Sequence, residues 1–395
     1  MEFWEKIKSI FGRIEGLAYN SLTEKFKNFG VFMGFNCGIV GLPNVGKSTL
    51  FNALTQTVAA QAMNYPFCTI EPNVGIIGVP DHRLTKLAEI ANSAKIVPTQ
   101  IEIVDIAGLV KGASQGEGLG NQFLSHIRST DAILHIVRCF ENPDITHVDG
   151  SVDPIRDIEV VETELMLSDL ESLKKKEAAI ARKNNPELQL EKDFLKKTID
   201  WLEKGNLLYH LPLAEEEIPF ANSMNLITRK PVLYVCNVAE DEIAVGNDFS
   251  KKVAEFAEKR HFPTLTVSAA IESEIALIQD ESEKKEYLES IGLTESGLDR
   301  IVRGGYNLLN LITFFTAGPI ESRAWTVRQN SKAPTAAGVI HTDFERGFIC
   351  AETISYDDYV KYNGEAGVKA AGKMRLEGKD YVVQDGDVFH FRFNV

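Results

Sequence analysis

Residues Gly41 to Ser48, GLPNVGKS, set two glycines around four intervening residues and follow the second with a lysine and a hydroxyl. Glycines let backbone N–H groups wrap an oxyanion. Lys47 can then neutralise the β and γ oxygens of a nucleoside triphosphate, and Ser48 can offer its hydroxyl to Mg²⁺. The apolar run Cys37 to Val40 precedes this stretch and LFNALT continues it in helical pattern, so the glycines fall at a strand-to-helix turn, where phosphate binding needs them. The chemistry implied is phosphoryl transfer.

Further along, TQIEIVDIAGL alternates as a strand and ends in Asp105-Ile-Ala-Gly108. A carboxylate at the carboxyl end of such a strand can hold a Mg²⁺-bound water, and Gly108 can bring a backbone N–H to the γ-phosphate. Thr69, in PFCTIEP, is the candidate switch threonine for the Mg²⁺ shell, with a turn cap as its plainer role. Five glycines between Gly108 and Gly120 suit a segment that γ-phosphate could order. Leu109 stands where a Ras-like enzyme carries glutamine, and leucine cannot orient water. Asn237-Val238-Ala-Glu240 replaces the guanine-reading Asn-Lys-x-Asp. Its first residue is kept, but Val238 lacks the lysine's stem and charge and Glu240 moves the carboxylate by one methylene. On its own the tetrad implies relaxed or altered base selection.

These residues need a scaffold. AILHIVR (132–138), PVLYVCN (231–237) and TLTVSA (264–269) read as further strands, giving an α/β fold with a mainly parallel sheet and the nucleotide along its carboxyl edge. About ninety residues separate the first two of these strands, too many for a simple crossover. From Ile158 to about Leu202 they read as two helices folded back at Asn184-Asn185-Pro186, a projecting hairpin with nine Lys/Arg against seven Asp/Glu between 171 and 204. Residues 277 to 304 are polar and helix-like. The last ninety or so residues hold short strands and Gly-rich turns, and Val388 to Phe393 alternates as a strand.

A chain of 395 residues, 44% hydrophobic, buries a core large enough for two or three domains. A net charge of −14 argues against a generic basic nucleic-acid coat, although a local basic face remains compatible with RNA. Five scattered cysteines without a C-x-x-C pair suggest neither a disulfide framework nor a zinc site, and the chain reads as cytoplasmic. No apolar stretch reaches transmembrane length, so no integral membrane association is expected. Residues 1–32 carry an amphipathic stripe, Phe3, Ile7, Ile10, Ile14 and Leu17. They read as a dispensable extension or a start-site artefact, since MGFNCGIVG from Met33 is itself a compact start.

The stretches MGFNCGIVGLPNVGKSTLFNALT, NYPFCTIEPNVG, VDIAGLVKGASQGEGLGNQFLSHIR, ENPDITHVDGSVDPIRDIE, the NVAE tetrad and AAGVIHTDFERGFICAE together resemble the Obg-related YchF family of P-loop NTPases over residues 33 to 395. The resemblance implies an Obg-type G domain over 33–303, interrupted by a helical coiled-coil arm at about 155–220, and a ubiquitin-like (β-grasp) TGS domain over 304–395. It implies a Mg²⁺-dependent ATPase that associates with the ribosome, including the large subunit, with rRNA contact through the arm or TGS domain and nucleotide-dependent regulation of translation or stress response. A slow-turnover ATP-binding regulator and a GTPase are the alternatives. Expected nucleotide contacts are Asn44, Val45, Gly46, Lys47, Ser48, Thr49, Gly108, Asn237, Val238, Glu240, Ser268 and Ala269, with Ser48, Thr69 and Asp105 on the metal. His147 is the implied replacement for the missing glutamine, with an ordinary loop histidine or a bond at the base of the insert as its other reading. Similarity to cation-activated P-loop GTPases makes Asn44 a candidate K⁺ ligand.

Overall fold

The computed structural model describes residues 35–62, 70–71, 74–105, 119–148, 150–183, 185 and 188–394. The amphipathic extension, Thr69, Gly108 and Leu109 lie outside them. In chain order the first elements are β1 (Phe35–Val40), α1 (Lys47–Ala62), β2 (Ile70–Glu71), β3 (Val74–Gly78), α2 (His82–Ala91), β4 (Lys95–Val97), β5 (Gln100–Asp105), α3 (Leu119–Ser129) and β6 (Ala132–Arg138). The insertion brings α4 (Pro154–Ala181), α5 (Gln189–Glu203) and α6 (Ile218–Ser223). Then follow β7 (Val232–Asn237), α7 (Asp248–Glu258), β8 (Thr264–Val267), α8 (Ala269–Ile275), α9 (Glu281–Ser290) and α10 (Gly297–Leu308). The C-terminal part holds β9 (Leu311–Thr316), β10 (Glu321–Arg328), α11 (Ala333–Ile340), α12 (Thr342–Arg346), β11 (Phe348–Ser355), α13 (Tyr356–Lys361), α14 (Glu365–Ala370), β12 (Arg375–Glu377) and β13 (Asp387–Phe393).

Among the described residues the first sheet has seven strands in the order β2-β3-β5-β1-β6-β7-β8. Only the β2–β3 and β3–β5 pairs are antiparallel. Strands β6 and β7 are buried at every residue, because helices cover both faces of a parallel sheet and leave no side for polar alternation. The carboxyl ends of β1, β5, β6 and β7 therefore share one edge, and the glycine loop, Asp105 and Asn237 all issue from it.

The insertion is the expected antiparallel helix pair. Asp153 caps α4, accepting from the Arg156 N–H at 3.2 Å, and Pro154 fills the first turn where no donor is required. Leu173, Ile180, Leu195, Ile199 and Leu202 form a separate core that zips α4 to α5. The root of α4 instead belongs to the main core through Ile158, Val161 and Leu165. Two buried carboxylates fasten it there. Glu162 takes the Tyr234 hydroxyl and pairs with Arg260 at 2.6 Å. Asp169 accepts the Ile227 and Thr228 N–H groups at 3.0 and 2.8 Å and pairs with Arg128 at 3.0 Å. No helix among the described residues is long and apolar enough to cross a membrane.

The second sheet runs β12-β11-β13-β9-β10-β4; the β13–β9 pair at its centre and the β10–β4 pair at its edge are parallel, and the other pairs are antiparallel. This is the order of a β-grasp, extended by one strand that the sequence reading counts with the G domain. Strand β4 pairs in parallel with β10, and α2 lays Leu84 and Leu87 against Phe315, Ala324, Ile354 and Val388. Arg83, at the start of α2, spans the junction. Its guanidinium reaches Asp81 at 2.8 Å and Asp385 at 2.6 Å and lies over the Phe315 ring. Breaking this fork while leaving both carboxylates should destabilise the chain by about 2 kcal/mol, reduced from the fully buried case because Asp385 is half exposed. Arg83→Ala should lower the denaturation midpoint accordingly. An unchanged midpoint would mean that β4 and the apolar contacts hold the junction alone.

Candidate nucleotide-binding site

The loop between β1 and α1 has a backbone that few residues can follow. Gly41, Asn44 and Gly46 have φ of 152°, 63° and 98°. A Cβ on Gly46 would lie 2.2 Å from Nδ2 of Asn237, so the position excludes any side chain by contact as well as by conformation. Lys47 opens α1 and is almost fully buried, its Nζ donating to the Leu42 carbonyl at 2.6 Å. The ammonium is thus folded back across the glycine loop. Burial lowers its pKa to about 8, against an opposing pull from the nearby Asp105 carboxylate. Asp105, at the end of β5, is pushed up by burial and held down in part by Lys47. Ser48 and Thr49, in the first turn of α1, are exposed, and Val45 is buried beneath the loop.

Asn237 ends β7 and is spent on bracing. Its Nδ2 donates to the Val45 carbonyl at 2.9 Å, and its Oδ1 accepts from the Ala269 N–H at 2.9 Å. One carboxamide thereby fixes the phosphate loop to the start of α8, where Ser268 and Ala269 are buried. Val238 turns into the core, 2% exposed, with its N–H on the Val267 carbonyl at 2.9 Å. It offers no stem to a base. Glu240 is exposed at the start of a short 3₁₀ turn, Glu240–Glu242.

His147 is set differently. The segment after β6 is folded around Arg138, whose guanidinium donates to the carbonyls of Phe140, Asn142 and Ile145 at 3.1 to 3.3 Å. Asn44 of the phosphate loop donates to the next carbonyl, Thr146, at 3.1 Å. His147 follows at once, and its Nε2 lies 2.8 Å from Oδ2 of Asp157 in the first helical turns of α4, both side chains buried. Arg156 holds the other oxygen of that carboxylate at 3.2 Å. The bond at the base of the insert, weighed from sequence as the alternative to a water-positioning role, is therefore present. Arg138 and Asp157 were not legible as site residues. An arginine after a buried strand and an acid in a helical first turn are common, and only the fold sets them against the loop.

Comparison with known proteins identifies the family and the fold. A family model described as a 50S ribosome-binding GTPase matches residues 36–201, and a C-terminal YchF-GTPase model, described as a protein of unknown function, matches residues 311–394. The Haemophilus influenzae protein named ribosome-binding ATPase YchF is 55% identical over 366 residues, 92% of this chain and 100% of that one. Its Bacillus subtilis counterpart is 53% identical over 368 residues, with the same coverage. The chain belongs to the YchF family. Among solved structures, the Schizosaccharomyces pombe YchF GTPase superposes with a TM-score of 0.81 at 38% identity, over 91% of this chain and 98% of that one. The YchF frame thus includes the first sheet, the helical insertion and the β-grasp.

A lysine that titrates at about 8 must be driven to its charged form by a triphosphate placed beside it. Binding at pH 8 should therefore take up about half a proton per nucleotide, falling towards zero at pH 6.5 where the lysine is already charged. Calorimetry in buffers of differing ionisation enthalpy reads this directly. The absence of uptake at pH 8 would show that Lys47 is already charged before the nucleotide arrives.

Proposed function

We propose that this chain is a ribosome-associated ATPase that hydrolyses ATP to ADP and phosphate. The observation that carries the reading is the charged pair at the sheet's carboxyl edge, Lys47 held on the Leu42 carbonyl beside Asp105, within a glycine loop braced by Asn237. Adenine is favoured because the two groups that hold guanine have gone. Val238 is packed in the core, and the Glu240 carboxylate stands one methylene further out on an exposed turn. The ribosome as partner follows from the relatives' names, with the arm and β-grasp as the surfaces proposed for it.

Lys47 would exchange its carbonyl for phosphate oxygens and stabilise charge on the transferring group, while loop N–H groups hold the bridging oxygens. The hydroxyl of Ser48 and the carboxylate of Asp105 are hard oxygen donors that suit Mg²⁺, with Thr69 proposed as the third protein group. When bound, Mg²⁺ would neutralise charge on the β and γ oxygens. Water must be oriented by a group other than Leu109, and His147 is proposed for that task, joined to the phosphate loop through the Thr146–Asn44 bond. A second reading, a nucleotide-binding regulator with little turnover, draws on the same histidine, because its outer nitrogen is engaged by Asp157.

Single-turnover ATP cleavage, with and without purified ribosomes, separates the two. Cleavage above background is expected in both settings, and its absence from both would reject the enzyme. Lys47→Ala should reduce cleavage by at least about a hundredfold. His147→Ala should reduce it by at least about tenfold, roughly 1.4 kcal/mol of transition-state stabilisation, with ATP affinity changed much less. A folded His147→Ala protein with the parent rate would remove this histidine from the chemistry.

A further inference from the structure

We infer that Asp157 is a latch that withholds His147 until the arm is moved. The inference rests on the proposed water-positioning role of His147 and adds where that role is controlled. Nε2 is the imidazole nitrogen furthest from the backbone and so the one with reach, and it is the atom that Asp157 holds at 2.8 Å. The ring is directed at the root of α4, with its side chain 6% exposed, while the backbone beside it is pinned towards the phosphate loop by Asn44. The backbone is thus tied to the phosphate loop, while the outer nitrogen of the ring is tied to α4. Delivering Nε2 to a water at the γ-phosphate requires the Asp157 bond to break.

The fold supplies a means of breaking it. Asp157 lies near the start of a helix of 28 residues, and the hairpin core from Leu173 to Leu202 makes the distal part of that helix one stiff body with α5. Between them are the Glu162 anchor on Tyr234 and Arg260 and the Asp169 anchor on Arg128 and the Ile227 and Thr228 N–H groups. At 1.5 Å per residue, a pivot midway between the two anchors lies about 13 Å from Asp157 on one side and about 23 Å from the far end of α4 on the other. Tilting about that point would move Asp157 by about half of the displacement at the tip and each anchor by only about a quarter. A tip movement of a few ångströms would then stretch a 2.8 Å bond towards the limit of hydrogen bonding. A partner that grips the arm would release the histidine without touching the nucleotide. Asp157 acts on the reaction only through His147 and is a positioning residue.

Single-turnover ATP cleavage by the full chain, with and without ribosomes, tests this in four proteins: the parent, Asp157→Ala, His147→Ala and the double variant. Asp157→Ala should raise the ribosome-free rate by at least about fivefold, shrink the further stimulation by ribosomes, and leave ATP affinity within about twofold. The gain should vanish when His147 is also alanine, an outcome that a merely loosened helix start would not produce. If His147→Ala keeps the parent rate with ribosomes as well as without them, the water-positioning reading fails. If His147→Ala lowers the rate with ribosomes but Asp157→Ala lowers the ribosome-free rate or leaves it unchanged, the latch is overturned and the reading of His147 survives. Asp157→Leu fills a similar volume with no group that can hydrogen-bond to the ring and guards against a cavity effect in the alanine variant. It should change the ribosome-free rate upwards, and a fall or no change would overturn the latch equally.

Discussion

The nucleotide site depends on the side chain of Asn237. Among the described residues its carboxamide is the only hydrogen-bonded link between the phosphate loop and the start of α8, and it makes one bond in each direction. The glycine at 46 follows from it, since the asparagine occupies the space a Cβ would need. The register of β7 against β6 and β8 follows as well, because shifting that strand by one residue would turn the amide away from the loop. A neutral hydrogen bond adds only about 1 kcal/mol of net stability, but leaving its buried partners unsatisfied costs more. The brace therefore specifies geometry more than it adds stability.

Those constraints explain what could be seen in the sequence. The glycine loop, the strand ending in Asp105 and the Asn-Val-Ala-Glu tetrad are local patterns whose chemistry depends on neighbours along the chain. The helical hairpin was legible because its apolar periodicity is broken at Asn184 to Pro186. By contrast, the addition of β4 to the β-grasp joins residues 95–97 to 321–323, and nothing in Lys-Ile-Val announces a partner more than two hundred residues away. Asp157 was hidden for a different reason. It stands in a helical first turn, where an acid needs no further explanation than the helix dipole.

The arm's root shows how buried charge is used outside the site. Glu162 and Asp169 are each matched to an arginine and to hydroxyl or backbone donors, so their carboxylates are satisfied as well as paired. Pairs of this kind contribute little net stability compared with apolar packing, yet removing one partner is costly. They fix where a long lever meets the sheet. The apolar core between α4 and α5 makes the lever stiff, and the polar anchors at its root set the point about which it would turn.

The replacement of the guanine-reading pair has a direct thermodynamic consequence. Val238 lies in the core, and Glu240 begins an exposed turn, so in the proposed site guanine would meet neither the stacking stem nor the acceptor at its accustomed distance. Loss of one correctly paired polar contact is worth about 1 to 3 kcal/mol, a tenfold or larger change in affinity. Equilibrium titration of the full chain with ATP and with GTP, under the same Mg²⁺ concentration, tests this most directly. On the proposed ATPase reading, ATP should bind more tightly than GTP. Equal or tighter binding of GTP would contradict the account.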